Sequence, residues 1–160
     1  MAYKLPVLFI NLEKMIKNII FIVLITVCSV SLNAQNWTTS FDEAKDQASK
    51  KGFPIVLVFQ GSDWCAPCIK LDKEIWSTEE FKSYAKDHFV MLKADFPRKK
   101  KNQLPDEQRK QNEMLAEKYN KNGYFPFVIV MDKEGKVLGE TGYKKMSPAD
   151  YIKLLSSYKG

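Results

Sequence analysis

Two adjacent stretches set the tightest limit on how this chain can fold. The run Ile55-Val56-Leu57-Val58-Phe59 is apolar at every position and reads as a buried strand. Trp64-Cys65-Ala66-Pro67-Cys68 follows it, and Ile69-Lys70-Leu71-Asp72-Lys73-Glu74-Ile75-Trp76 beyond that reads as a helix. Cys65 then falls at a helix N-terminus, where unpaired backbone N–H groups and the helix dipole stabilise a thiolate. Cys68 falls one turn in, on the same side, within reach of Cys65. A pair placed this way can cycle between dithiol and disulfide, so the stretch specifies a reaction as well as a fold.

The N-terminal segment carries addressing information. Lys14 and Lys17 precede the apolar run 19–30, and Ser31-Leu32-Asn33-Ala34 follows it. A basic segment, a short apolar segment and a small residue make residues 1–34 a signal peptide, with the cut expected after Ala34. The run is shorter than the roughly 20 apolar residues of a membrane span, which favours a cleaved peptide over a retained anchor. Met15 is an attractive true start, because Met15-Ile16-Lys17-Asn18 is itself a compact basic segment. Cys28 follows Val27, which is too bulky to precede a lipidated cysteine, and reads as a small hydrophobe.

Residues 35–160 suit a single domain, and their only cysteines are Cys65 and Cys68. One closely spaced pair closes a tiny loop and is a poor structural staple. In the periplasm or outside the cell, such a pair is better explained as working chemistry. The full chain's formal charge is +6; residues 1–34 hold Lys4, Lys14, Lys17 and Glu13, a net +2, and the +4 that remains is a modest excess. It favours solubility and acidic partners and falls short of a nucleic-acid signature.

Along the domain, Ser40-Phe41-Asp42-Glu43 and Ser77-Thr78-Glu79-Glu80 have capping-box form and open two helices, the first ending at Gly52 and the second near Asp87. Phe89-Val90-Met91-Leu92-Lys93-Ala94 is a second strand, ending at Asp95. A polar connection carries Arg98-Lys99-Lys100-Lys101, and Pro105 or Asp106 starts a long amphipathic helix with Met114, Leu115 and Tyr119 on its inner face. Phe127-Val128-Ile129-Val130-Met131 is a third strand, and Asp132-Lys133-Glu134-Gly135 turns it into residues 136–140 as an antiparallel hairpin. Ser147 and Pro148 begin a final helix reaching about Tyr158. The order α-β-α-α-β-α-β-β-α implies an α/β fold, a central mixed sheet flanked by helices on both faces.

The pattern resembles the exported thioredoxin-like family common in Gram-negative bacteria. The resemblance is carried by Trp64-Cys65-Ala66-Pro67-Cys68 after a strand, Asp95 at the end of the next, Phe125-Pro126 opening the third, and the turn at 132–136. It covers residues 37–158. It implies a thioredoxin fold with an extended loop-helix insert over 96–122, ahead of a cis-proline strand. It makes Cys65 the solvent-facing nucleophile and Cys68 the buried resolving thiol. Pro126 becomes the cis-proline beside the disulfide, and Trp64, Ala66, Pro67 and Phe125 the active-site rim. The Cys65–Cys68 disulfide is then the redox group, with no cofactor and no metal. Two departures stand out. Thioredoxins proper place a buried aspartate and a basic partner beneath the motif, where this chain has Phe59 and, at about the partner's place, Met91. The Cys68 proton must therefore leave through water or another group.

The resemblance implies an extracytoplasmic protein-disulfide oxidoreductase. The Ala66-Pro67 pair is nearest to the Gly-Pro of reducing members, which favours a reductase over an oxidant or isomerase. Client proteins with thiols or disulfides and a membrane thiol-electron donor are the implied partners, with no nucleic acid, and the protein is expected to be a monomer. The competing class is a redox-inert module holding peptides beside Pro126. A zinc site is excluded within one chain, because no second Cys-x-x-Cys exists and His88 is the only histidine. His88 reads as a helix C-terminal dipole partner. Trp76, Phe81 and Tyr84 have helical spacing and read as core. Trp64 either touches substrate or packs. Tyr124 and Phe125 either line a shallow groove or close the core. The run 98–101 is either a solvated loop or a dock for acidic clients.

Overall fold

The computed structural model describes residues 37–159. The signal-peptide reading, Met15 and Cys28 lie outside the described residues. The strands are β1 (Trp37–Thr38), β2 (Ile55–Gln60), β3 (Val90–Asp95), β4 (Phe127–Met131) and β5 (Val137–Thr141). The helices are α1 (Phe41–Lys51), α2 (Ala66–Leu71), α3 (Glu79–His88), α4 (Asp106–Tyr119) and α5 (Pro148–Ser157). The sheet order is β1-β3-β2-β4-β5. β3 runs parallel to β1 and β2, while β4 runs antiparallel to β2 and β5.

β2 lies at the centre, and successive side chains enter opposite layers. Val56 and Val58 pack with Leu71, Ile75, Phe81 and Leu155, against α2, α3 and α5. Ile55, Leu57 and Phe59 pack with Ala44, Ala48 and Leu115, against α1 and α4. Helices on both faces cover residues 55–59 fully, which is why that run is apolar throughout, and the one polar residue, Gln60, stands at the strand's end beside the Cys68 cleft. Each fully buried side chain of this size contributes about 1.5–3 kcal/mol.

The helix caps show where local sequence prevails and where packing intervenes. Ser40 Oγ accepts the Glu43 N–H at 3.3 Å, and Ser147 Oγ accepts the Asp150 N–H at 3.1 Å. The second capping box, expected on Ser77, is displaced by one residue. Thr78 is the cap, accepting the Phe81 N–H at 3.3 Å, while Ser77 Oγ donates to the Asp72 carboxylate at 3.2 Å. The cause is a π-helical segment, Asp72–Trp76, that continues α2 and ends with the Ser77 N–H reaching the Asp72 carbonyl at 2.8 Å. It delivers the Trp76 ring into the core, with centroids 4.7 Å from Phe81 and 5.2 Å from Tyr151. Tyr84 is only partly buried, at the margin of that core.

Met114 corrects the expected inner face of α4: it is 62% exposed. The inward stripe runs through Asn112, Leu115 and Tyr119. Met114 sits about 100° round the helix from Leu115 and so faces water. Burying Asn112 is offset by hydrogen bonds: its amide donates to the Asp95 carbonyl at 2.8 Å and accepts from Gln108 at 2.9 Å. At the far end of α3, His88 stacks on Tyr84 with centroids 3.9 Å apart, and its Nδ1 lies 2.8 Å from the Tyr84 carbonyl. The Lys159 ammonium donates to the His88 carbonyl at 3.1 Å, so a lysine joins the histidine at that negative helix end.

Candidate active site

The site is built where β2 ends and α2 begins. The Cys65 N–H donates to the Gly61 carbonyl at 2.9 Å, turning the chain sharply after the strand. Cys65 is the N-cap of α2, and its Sγ accepts the Cys68 N–H at 3.2 Å. The sulfur thus sits on an otherwise unpaired N–H at the positive end of a helix. Pro67 occupies the first turn, where its missing N–H costs nothing. Ala66 and Pro67 are exposed. Cys65 and Cys68 are joined by a disulfide with Cα atoms 5.2 Å apart.

The expected contrast between an outward Cys65 and a buried Cys68 is absent in this disulfide form, in which each residue is 4% exposed. The bond folds the Cys65 side chain back over the start of the helix. Pro126 is buried, and the Phe125–Pro126 peptide is cis. Phe59 is buried and stacks on Phe127 with centroids 6.3 Å apart, and Met91 is buried as well, so neither position carries an ionisable group. Cys68 borders a cleft of about 220 Å³ lined also by Gln60, Ser62, Asp72 and Lys93.

Trp64 is half-buried and fastened on three sides. Its indole N–H donates to the Phe96 carbonyl at 2.7 Å, its ring meets Phe125 edge-on at 5.5 Å, and the Arg98 guanidinium lies 3.7 Å above it. Phe125 also meets Phe96 at 5.5 Å and is partly buried, whereas Tyr124 is 58% exposed. Two carboxylates lace this turn to the segment after β3. Asp95 accepts the Ser62 N–H at 2.8 Å and its hydroxyl at 2.6 Å. Asp63 accepts the N–H groups of Arg98 and Lys99 at 3.0 Å each and the Asn102 amide at 2.9 Å. The hydrogen bond from the Arg98 N–H, helped by Asn102 and Lys99, holds the Asp63 carboxyl below its ordinary range. The sequence places Asp95 at a strand end and Arg98 in a basic run, but assigns no role to Asp63 or Phe96 and no contact between Arg98 and Trp64. The only available signal was the Asp63 side chain in the turn before the motif. Among the described residues, no group of three or more His, Cys, Asp or Glu side chains is placed to hold a metal.

Residues 36–133 match the family model described as thioredoxin-like. The chain belongs to the thioredoxin-like family. This thioredoxin-like protein is 39% identical over 118 residues to the disulfide bond reductase DsbH of Chlamydia pneumoniae, covering 74% of this chain and 69% of the relative. A solved DsbH oxidoreductase superposes with a TM-score of 0.71 at 37% identity, covering 81% of this chain and 89% of that one. A disulphide isomerase from Xylella fastidiosa Temecula1 shares the fold, with a TM-score of 0.55 at 23% identity over 74% of this chain and 87% of that one.

Proposed function

We propose that this protein-disulfide oxidoreductase works in the reducing direction on client proteins outside the cytoplasm. Cys65 is the nucleophile and Cys68 the resolving thiol. The Cys65 thiolate attacks one sulfur of a client disulfide, forming a mixed disulfide and releasing one client thiolate. Cys68 loses its proton and attacks the Cys65 sulfur, which re-forms the Cys65–Cys68 bond and releases the second client thiolate. The client gains two electrons and two protons, and the enzyme leaves oxidised. A membrane thiol donor returns the two electrons by the reverse exchange.

The observation that carries this reading is the cap on α2: the Cys65 sulfur receives the Cys68 N–H while bonded to the Cys68 sulfur. That placement stabilises a thiolate and supplies the group that resolves it. Asp72 and Lys93 at the Cys68 cleft offer the proton a polar exit in place of the missing aspartate. Pro126 and Phe125 present the client backbone, and Trp64, Ala66 and Pro67 form the rim. The basic and apolar segments at 14–30, with the cut after Ala34, support export to the periplasm or beyond.

Insulin reduction, together with the equilibrium potential of the Cys65–Cys68 couple, tests the reading. Turnover with a potential near about −270 mV is the expected result, whereas one near about −120 mV reverses the direction. A pair that exchanges in neither direction leaves the redox-inert binding module.

A further inference from the structure

The insert over 96–122 has no part in the exchange chemistry, yet it builds one side of a cleft of about 450 Å³ against Trp64. Trp64, Phe96, Leu104 and Phe125 form an apolar wall beside the residue preceding Cys65, and Gln103, Arg109, Asn112 and Glu113 form a polar one. The two carboxylates on the cleft already have donors. Asp95 is held by Ser62, and Glu113 pairs with Arg109 at 3.3 Å, which also meets Asp106 at 3.1 Å. The cations are different: Arg98 lines the cleft, and Lys99, Lys100 and Lys101 follow it in sequence. Among the described residues, Arg98, Lys99, Lys100 and Lys101 take part in no ion pair. Their backbone is nevertheless held in place: the Asp63 carboxylate binds the N–H groups of Arg98 and Lys99 and the Asn102 amide, and Arg98 is stacked on Trp64. A run of cations in no ion pair, on a pinned loop whose Arg98 lines a cleft shared with Trp64, is a preorganised surface of positive sign.

We infer that this cleft is a subsite for the client polypeptide, taking an apolar or aromatic side chain that adjoins an Asp or Glu. The inference rests on the reductase reading and names the clients it favours. Neighbouring Cα atoms are about 3.8 Å apart, and an extended chain advances about 3.3 Å per residue. Because Trp64, next in sequence to Cys65, lines the cleft, the recognised pair lies within a few residues of the client cysteine.

The test compares two disulfide-linked peptides that differ only in carrying Phe-Glu or Phe-Lys three residues from the cysteine, with hydroxyethyl disulfide as a small neutral reference. The Phe-Glu peptide is expected to show a kcat/KM about fivefold higher at low salt. The ratio is expected to fall toward unity in about 1 M salt, where the screening length is about 3 Å. Arg98→Glu, a change at an exposed position, is expected to narrow it at low salt. Equal rates for the two peptides, a preference for Phe-Lys, or a ratio untouched by Arg98→Glu overturns the subsite while hydroxyethyl disulfide is still reduced. Failure to reduce either peptide or hydroxyethyl disulfide overturns the reductase reading, and the subsite with it.

Discussion

At position 61 the chain has no room for a side chain. A Cβ built on Gly61 overlaps the Trp64 indole, whose own position is fixed by Phe96, Phe125 and Arg98. Gly61→Ala is therefore expected to push Trp64 out of its seat and to destabilise the fold by about 1–3 kcal/mol. Chemical denaturation and a shift in tryptophan emission check it; an unchanged midpoint contradicts it. The two cysteines separate by role. Cys65→Ser is expected to bring client reduction down to the uncatalysed rate. Cys68→Ser, with the attacking thiol intact and nothing to resolve it, is expected to accumulate a mixed disulfide visible by non-reducing electrophoresis. Equal residual turnover in the two variants contradicts the assignment. The spacing of these two residues was legible because it is a local property of strand, turn and helix.

Between elements, the decisive contact is the clasp of Asp63 on the loop after β3. Its folded ionisation lies below the unfolded one, so the clasp contributes fully above the unfolded value and weakens as pH falls through the folded value. Amide resonances of Arg98 and Lys99 are expected to shift together below about pH 4. The shift is expected to vanish in Asp63→Asn; a titration that persists there assigns it to another group. None of this was legible in the sequence, because Asp63 and Arg98 are 35 positions apart and only the fold brings them together. The same cause hid the two-residue β1, which has no periodicity of its own and exists by pairing Trp37 with Met91 and Thr38 with Leu92. It also hid the π segment, whose extra residue per turn is set by where Trp76 packs. The inner strands and the β4–β5 hairpin were legible because alternation, an unbroken apolar run and an Asp-Lys-Glu-Gly turn are local signals. Met114 faces water because Asn112 holds the inward position, so apolar character alone does not mark burial on α4. Asn112→Ala should cost about 1–3 kcal/mol by stranding the Asp95 carbonyl, as equilibrium unfolding would show.

For the molecule as a whole, the helical stretch that begins at Cys65 ends by anchoring Trp76 in the core. Trp76, Phe81 and Tyr151 form an aromatic cluster inside the layer covered by α2, α3 and α5, and Trp76→Ala is expected to cost about 3–5 kcal/mol. The surviving folded fraction should reduce insulin at the normal rate per molecule, because the cluster includes neither cysteine; a proportionate loss of rate contradicts this. The disulfide itself spans only three positions within one helical turn. It closes no long loop and joins no two elements of the fold. Whatever protein returns electrons has to reach the tip at 64–68, because both sulfurs sit there, on a single turn of helix.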